Sequence, residues 1–115
     1  MKISSLENAE HYVWGNGCEG WHLVKSESLS VIQERVPSGC EEIRHLHKFS
    51  EQYFYVISGV ASIEADKEIF HLEKNHGLHI PANTPHQLWN EQECDLIFIV
   101  TSTPPSHGDR IEVRV

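Results

Sequence analysis

Positive charge is scarce in this sequence, where nine lysines and arginines stand against seventeen aspartates and glutamates for a net charge of −8. A surface of that sign repels phosphate backbones and anionic headgroups, so neither nucleic acid nor a membrane is an expected partner. Long apolar runs are missing as well. The longest, Leu96 to Val100, falls far short of the roughly 20 residues that cross a bilayer as a helix, and the opening MKISSLENAEHY has no unbroken apolar segment of the kind a secretory signal needs. The expected location is the cytoplasm. Cysteine is sparse and odd in number: Cys18, Cys40 and Cys94 form no CxxC pair, which offers neither a disulfide framework nor a thiolate zinc site and reads as three reduced, structural thiols. No nucleophile stands near a plausible base, no glycine-rich loop could cradle phosphate, and no carboxylate pair separates itself from the acidic surface. Hydrolytic triads, nucleotide binding and glycosidase chemistry are therefore not supported.

What the chain does have is histidine, nine in 115 residues, on a length that suits one domain with one core. Short segments rich in β-branched and aromatic residues recur about every ten positions, with Gly, Pro, Asn or Asp between them, which predicts an all-β sandwich or barrel with little helix. The segments are LSVIQERV (29–36), EIRHLH (42–47), QYFYVIS (52–58), VASIEA (60–65), EIFHL (68–72), GLHI (77–80), HQLWN (86–90) and CDLIFIVTS (94–102). Asp66-Lys67 reads as a hairpin turn. RIEVRV (110–115) is expected to be an edge strand or to pair with another chain, and no role emerges for residues 1–28. Tyr53 to Ile57 is apolar on both alternating faces, so one face lines the interior and the other needs cover from a second sheet or a second subunit. A homodimer is the expected assembly.

Successive strand side chains point to opposite faces, so His45 and His47 project into the same space. Such a pair makes a bidentate metal clamp, although the spacing alone fits two solvent-facing histidines equally well. The surroundings are more specific. Gly39 is followed after five residues by His45, after one by His47, after four by Gln52 and after six by Gly59; fifteen residues on, Asn75 is followed after five by Pro81, after one by Asn83, after two by His86 and after three by Asn90.

These blocks, residues 39–59 and 75–90, resemble the two signature motifs of the cupin superfamily, G-x5-H-x-H-x3,4-E-x6-G and G-x5-P-x-G-x2-H-x3-N. The resemblance implies a single cupin domain over residues 1–115, a double-stranded β-helix or jelly-roll barrel, with 103–115 as a C-terminal tail, edge strand or swapped segment. It also implies one divalent transition metal, Fe, Mn, Ni, Cu or Zn, on His45, His47, Gln52 and His86. Asn75 and Asn83 replace the second motif's glycines, and Asn is the side chain that best tolerates a left-handed backbone. Pro81 and Pro85 would stiffen the loop that presents His86. Where the first motif asks for glutamate, the count back from Gly59 lands on Gln52, while a local bulge could bring in Glu51 instead. Three imidazoles and an amide would leave the ion its full charge, favouring anionic ligands and disfavouring hard cations.

The resemblance implies a small metal-dependent enzyme of dioxygenase or isomerase type acting on a small anionic or enolisable metabolite. The alternative is a non-catalytic module that binds or senses a sugar or other small molecule; a third, an apo barrel in which Gln52 marks lost metal binding. No catalytic residue is identified beyond the ligand set. Phe54, Val56 and Leu88 share parity with the ligands and are expected in the pocket; Tyr53 and Tyr55 should face away. Asn90 is expected to close a turn. Trp14, Trp21 and Trp89 read as core or interface residues before an aromatic wall for substrate, and His71, His76 and His79 as loop or surface residues, with His11 and His22 no more informative. The tail from Ser102 to Arg110 could fold His107, Asp109 and Arg110 over the barrel mouth, or simply dock the last strand with Asp109 and Arg110 as charge partners.

Overall fold

Alternating apolar positions separated by turn residues leave a chain of this length one way to bury its strands, which is to lay two sheets face to face. A computed structural model describes residues 1–114. Its strands are β1 (Glu10–Trp14), β2 (Cys18–Lys25), β3 (Ser30–Val36), β4 (His45–His47), β5 (Glu51–Ser58), β6 (Ala61–Ala65), β7 (Glu68–Leu72), β8 (Gly77–Ile80), β9 (His86–Trp89), β10 (Leu96–Thr103) and β11 (Arg110–Glu112). No helix occurs among the described residues. Six strands form one antiparallel sheet in the order β1-β2-β3-β10-β5-β8, and five form the other, β11-β4-β9-β6-β7. This is the expected all-β jelly roll.

The core lies between the sheets. Ile32 and Val36 of β3, Phe54 and Val56 of β5, and Leu96, Phe98 and Val100 of β10 meet Ala61 and Ile63 of β6, Leu72 of β7 and Leu88 of β9. Burial on β5 alternates strictly from Gln52 to Val56, while Glu51 and Tyr53 are exposed. Asp66 and Lys67 adopt φ of 50° and 72° and close the β6–β7 hairpin, with Ala65 opposite Glu68, the primed-turn geometry that matches strand twist.

Residues 1–28, to which the sequence assigned no role, supply two strands. β1 and β2 form a hairpin on the edge of the larger sheet, with Gly20 paired to Tyr12 on one side and to Glu34 on the other. A Cβ at Gly20 would overlap the Tyr12 ring, so the glycine is what lets that ring lie over the strand. At the other end β11 pairs with β4 of the same chain as an edge strand, Arg110 opposite His47 and Glu112 opposite His45.

Both second-motif asparagines are left-handed, Asn75 at φ 68° and Asn83 at φ 63°. The Asn83 backbone N–H donates to the carbonyl of His47 at 2.7 Å, tying the loop ahead of β9 to β4. Asn83→Ala is expected to lower stability by about 1 kcal/mol, because alanine carries the left-handed strain without the tolerance of asparagine, whereas Asn83→Gly should hold or gain. Urea unfolding of the three proteins checks this; an Ala variant as stable as the parent would contradict it.

Candidate metal centre

β4 and β9 are paired at one position, His45 opposite His86. The strand period then carries His47, two residues on, to the same face. All three imidazoles are buried, and their ligand atoms lie within 4.8 Å of one another. The Nδ1 of His45 sits 2.7 Å from the carbonyl of Ile43 and the Nδ1 of His86 sits 2.9 Å from that of Thr84. A neutral imidazole that donates through Nδ1 keeps its lone pair on Nε2. The Nε2 of His86 is buried with no partner, as is the Nδ1 of His47. Burial disfavours the charged form of all three rings, holding His45 down at about 3 and His47 at about 4, with the neighbouring histidines adding to the effect; His86 is lowered by burial too.

Gln52 enters from the other sheet, 7% exposed. Its Nε2 donates to the hydroxyl of Ser102, its cross-strand neighbour, at 3.0 Å. The amide oxygen is buried without a partner. Glu51 faces outward, where its carboxylate meets the Nε2 of His79 at 2.8 Å, and the irregularity in the β5–β10 pairing falls at Ile97/Phe98, away from this pair. Orphaned donor atoms on buried, neutral side chains suit an imidazole-rich transition-metal site.

His45, His47 and Gln52 open onto a cavity of about 250 Å³, lined also by Phe54 and Ser102 and by wall residues from both chain ends, while His86 lies behind His45 and is not on the lining. Phe54 is on the wall, as expected. Val56 and Leu88 share its parity but are not among the lining residues: they lie deeper, fully buried in the core. Asn90 closes the turn after β9, donating to the carbonyls of Val36 and Cys94 and accepting from Gln92 N–H. Trp21 and Trp89 do not line the cavity, but Trp14 does, beside Tyr12. The tail combines the two roles considered for it. His107, Gly108 and Arg110 line the cavity, while the Asp109 carboxylate accepts the backbone N–H groups of Lys48, Phe49 and Ser50 at 3.1, 2.9 and 2.9 Å. Asp109 and Arg110 are not each other's charge partners; Arg110 donates instead to the carbonyl of Ile43 at 3.1 Å.

Sequence reasoning missed two lining carboxyls, Glu34 and Glu42. The sign was an acid at the inward position of β3, between Ile32 and Val36. Burial, with the neighbouring Glu42 charge second, pushes Glu34 up to about 8; burial pushes Glu42 up to about 7 against the opposing pull of Arg110 and the Leu88 N–H. Tyr12 is raised by burial and by Glu34.

Carboxyls raised above their unfolded value cost nothing while protonated in both states, and the stability is lost as pH climbs through their folded values. Glu34→Gln should therefore gain on the parent by roughly 1–2 kcal/mol between about pH 5 and about pH 9, the histidines being common to both proteins. Urea titrations of the metal-free proteins give the difference; a gap independent of pH would contradict the burial of this carboxyl.

A family model described as Cupin domain matches residues 32–102. A protein of Methanocaldococcus jannaschii, named Uncharacterized protein MJ1618, is 32% identical over 89 residues, which is 76% of this chain and 71% of that protein. Among solved structures, KdgF from Halomonas sp. superposes with a TM-score of 0.84 at 18% identity, over 93% of this chain and 96% of its own. A sugar phosphate isomerase from Silicibacter pomeroyi superposes with a TM-score of 0.79 at 20% identity, over 91% of this chain and 76% of its own. The matched segment takes in strands of both sheets, among them β4 and β9 with the three clustered histidines and β5 with Gln52, and the chain belongs to the cupin family.

Proposed function

We propose that the chain is a metal-dependent enzyme acting on a small anionic or enolisable metabolite, by isomerase-type or dioxygenase-type chemistry, with one divalent Fe, Mn, Ni, Cu or Zn ion on His45, His47, His86 and Gln52. The observation that carries this reading is a cluster of three buried, neutral imidazoles, two of which share with an orphaned amide oxygen the wall of a cavity large enough for a small metabolite. When bound, an ion with only neutral donors supplies undiminished Lewis acidity, or an O₂ site if it is iron, manganese or copper. The chain's own residues do the rest: Phe54, Ile32 and Val100 keep part of the wall apolar, and Arg110 offers a cation to an anionic substrate. The Silicibacter pomeroyi neighbour, a sugar phosphate isomerase, supports the isomerase end of the range.

The proposed setting is the cytoplasm and the proposed assembly a homodimer. The outer face of the larger sheet supports the dimer, since Val31, Tyr55, Ile57, Ile97 and Ile99 are only half-buried there.

Elemental analysis of untagged protein should find close to one transition metal per chain. The metal should be lost from His86→Ala and depleted in Gln52→Ala, with Glu51→Ala unaffected and all three variants still folded. A parent without metal, even after reconstitution, would favour the non-catalytic binding module; loss in Glu51→Ala alone would overturn the amide ligand. Tyr55→Glu should lower the sedimentation coefficient towards that of a single chain, and an unchanged value would remove this face as the interface.

A further inference from the structure

Two carboxyls with no part in holding a metal open onto the same cavity. Glu34 rises from β3, Glu42 from the segment ahead of β4, and Tyr12, Trp14, His107 and Arg110 complete that part of the wall. Glu42 is anchored, its carboxylate accepting the Leu88 backbone N–H at 3.0 Å. The Trp14 indole N–H faces Glu34 and pulls it down, but lies beyond hydrogen-bond distance and is buried without a partner. Arg110 has no carboxylate within ion-pair distance among the described residues and is held by a backbone carbonyl. The cavity floor is the more than nine-tenths buried Gln52, whose amide oxygen also lacks a partner. A carboxyl facing only an indole N–H, a guanidinium with no ion pair among the described residues and a polar floor around one half-open cavity describe a site for a small anion.

Resting on the reading of this cavity as an enzymatic metal site, the geometry points to Glu34 as the group that exchanges a proton with carbon of the substrate, a small α-carbonyl anion whose charge faces Arg110. The reaction class is then enolisation with return of the proton on the same face, as in isomerisation, and not oxygen insertion. In the forward step the C–H bond beside the carbonyl breaks and its proton forms an O–H bond with the Glu34 carboxylate. The bonding pair moves into a carbon–carbon double bond, and the carbonyl oxygen takes the negative charge. In the return step the Glu34 O–H bond breaks and the proton re-forms a C–H bond, at the same carbon for exchange, the oxygen returning its pair to the carbonyl. In a substrate with a neighbouring hydroxyl it re-forms at the hydroxyl-bearing carbon for isomerisation, the hydroxyl proton passing to the former carbonyl oxygen and the hydroxyl oxygen becoming the new carbonyl. No oxidant or reductant is consumed.

The setting suits the task. A proton-transfer group works best when its two states are balanced near the working pH, and burial together with Glu42 brings Glu34 up to about 8. The titratable and charged groups around this space are Tyr12 from β1, Glu42 from the segment ahead of β4, His45 and His47 from β4, and His107 and Arg110 from the tail. Of these, Glu42 raises Glu34 and Arg110 opposes it.

The test uses zinc-loaded parent, Glu34→Gln and Glu34→Asp, each incubated in D₂O with pyruvate, 2-oxobutyrate or hydroxypyruvate, with loss of the α-proton signal followed by proton NMR. The parent should exchange at least one of them, at a rate that rises through an apparent pKa near that of Glu34. Glu34→Gln should be slower by about 100-fold or more with zinc content unchanged and melting no lower than the parent's, and Glu34→Asp should recover part of the rate. On the metal-free proteins at about pH 7, infrared difference spectra should show a protonated-carboxyl carbonyl band in the parent that is lost in Glu34→Gln. Exchange within a few-fold of the parent in Glu34→Gln, no exchange by zinc-replete parent, or no such band would each overturn the role of Glu34. A parent that takes up none of Fe, Mn, Ni, Cu or Zn would instead remove the metal reading, and this inference with it.

Discussion

Two backbone carbonyls decide what the site can be. Ile43 and Thr84 each stand two residues before a histidine and each lie against that histidine's Nδ1. A neutral imidazole has one N–H, so committing it to the carbonyl aims the Nε2 lone pair inward. The ring centroids of His45 and His86 are 4.5 Å apart, and those of His47 lie 4.9 and 5.8 Å from them. Rings this close, in a low-dielectric interior, are stable together only uncharged, which is also the state in which they can take a metal.

The rest of the fold holds that arrangement in place. Asn83 turns in the left-handed region and donates its N–H to the His47 carbonyl, so the loop before β9 is gauged against β4. Ser102 takes the Gln52 amide N–H and thereby turns the amide oxygen away from its own sheet. Asp109 satisfies three consecutive N–H groups after β4, and this capture of the tail carries His107 and Arg110 to the cavity. Burial raises the carboxyl, but the three donors outweigh it and keep Asp109 below the usual range.

Much of this was legible because strands repeat every two residues. That period alone separates Gln52 from Glu51, puts Phe54 inside and Tyr53 outside, and joins His45 to His47. The spacing of asparagine at the second-motif turns was readable from backbone tolerance. The N-terminal hairpin was not: its outward side chains are polar or aromatic without a clear stripe, and its place on the wall depends on Gly20 pairing with Glu34, a contact no local pattern encodes. Val56 and Leu88 were placed on the right face but at the wrong depth, since parity says which way a side chain points and nothing about where along the barrel the cavity ends. Glu34 had a signature, an acid between two core residues of one strand face.

The central claim is that four neutral side chains from opposite sheets close on one ion. An anomalous-difference map from crystals grown with the native metal, collected across its absorption edge, tests it most directly. The account requires a single strong peak at about 2.0–2.3 Å from nitrogens of His45, His47 and His86 and from the Gln52 amide oxygen. A peak ligated by the histidines with Gln52 turned away, or no peak among them at all, would contradict it.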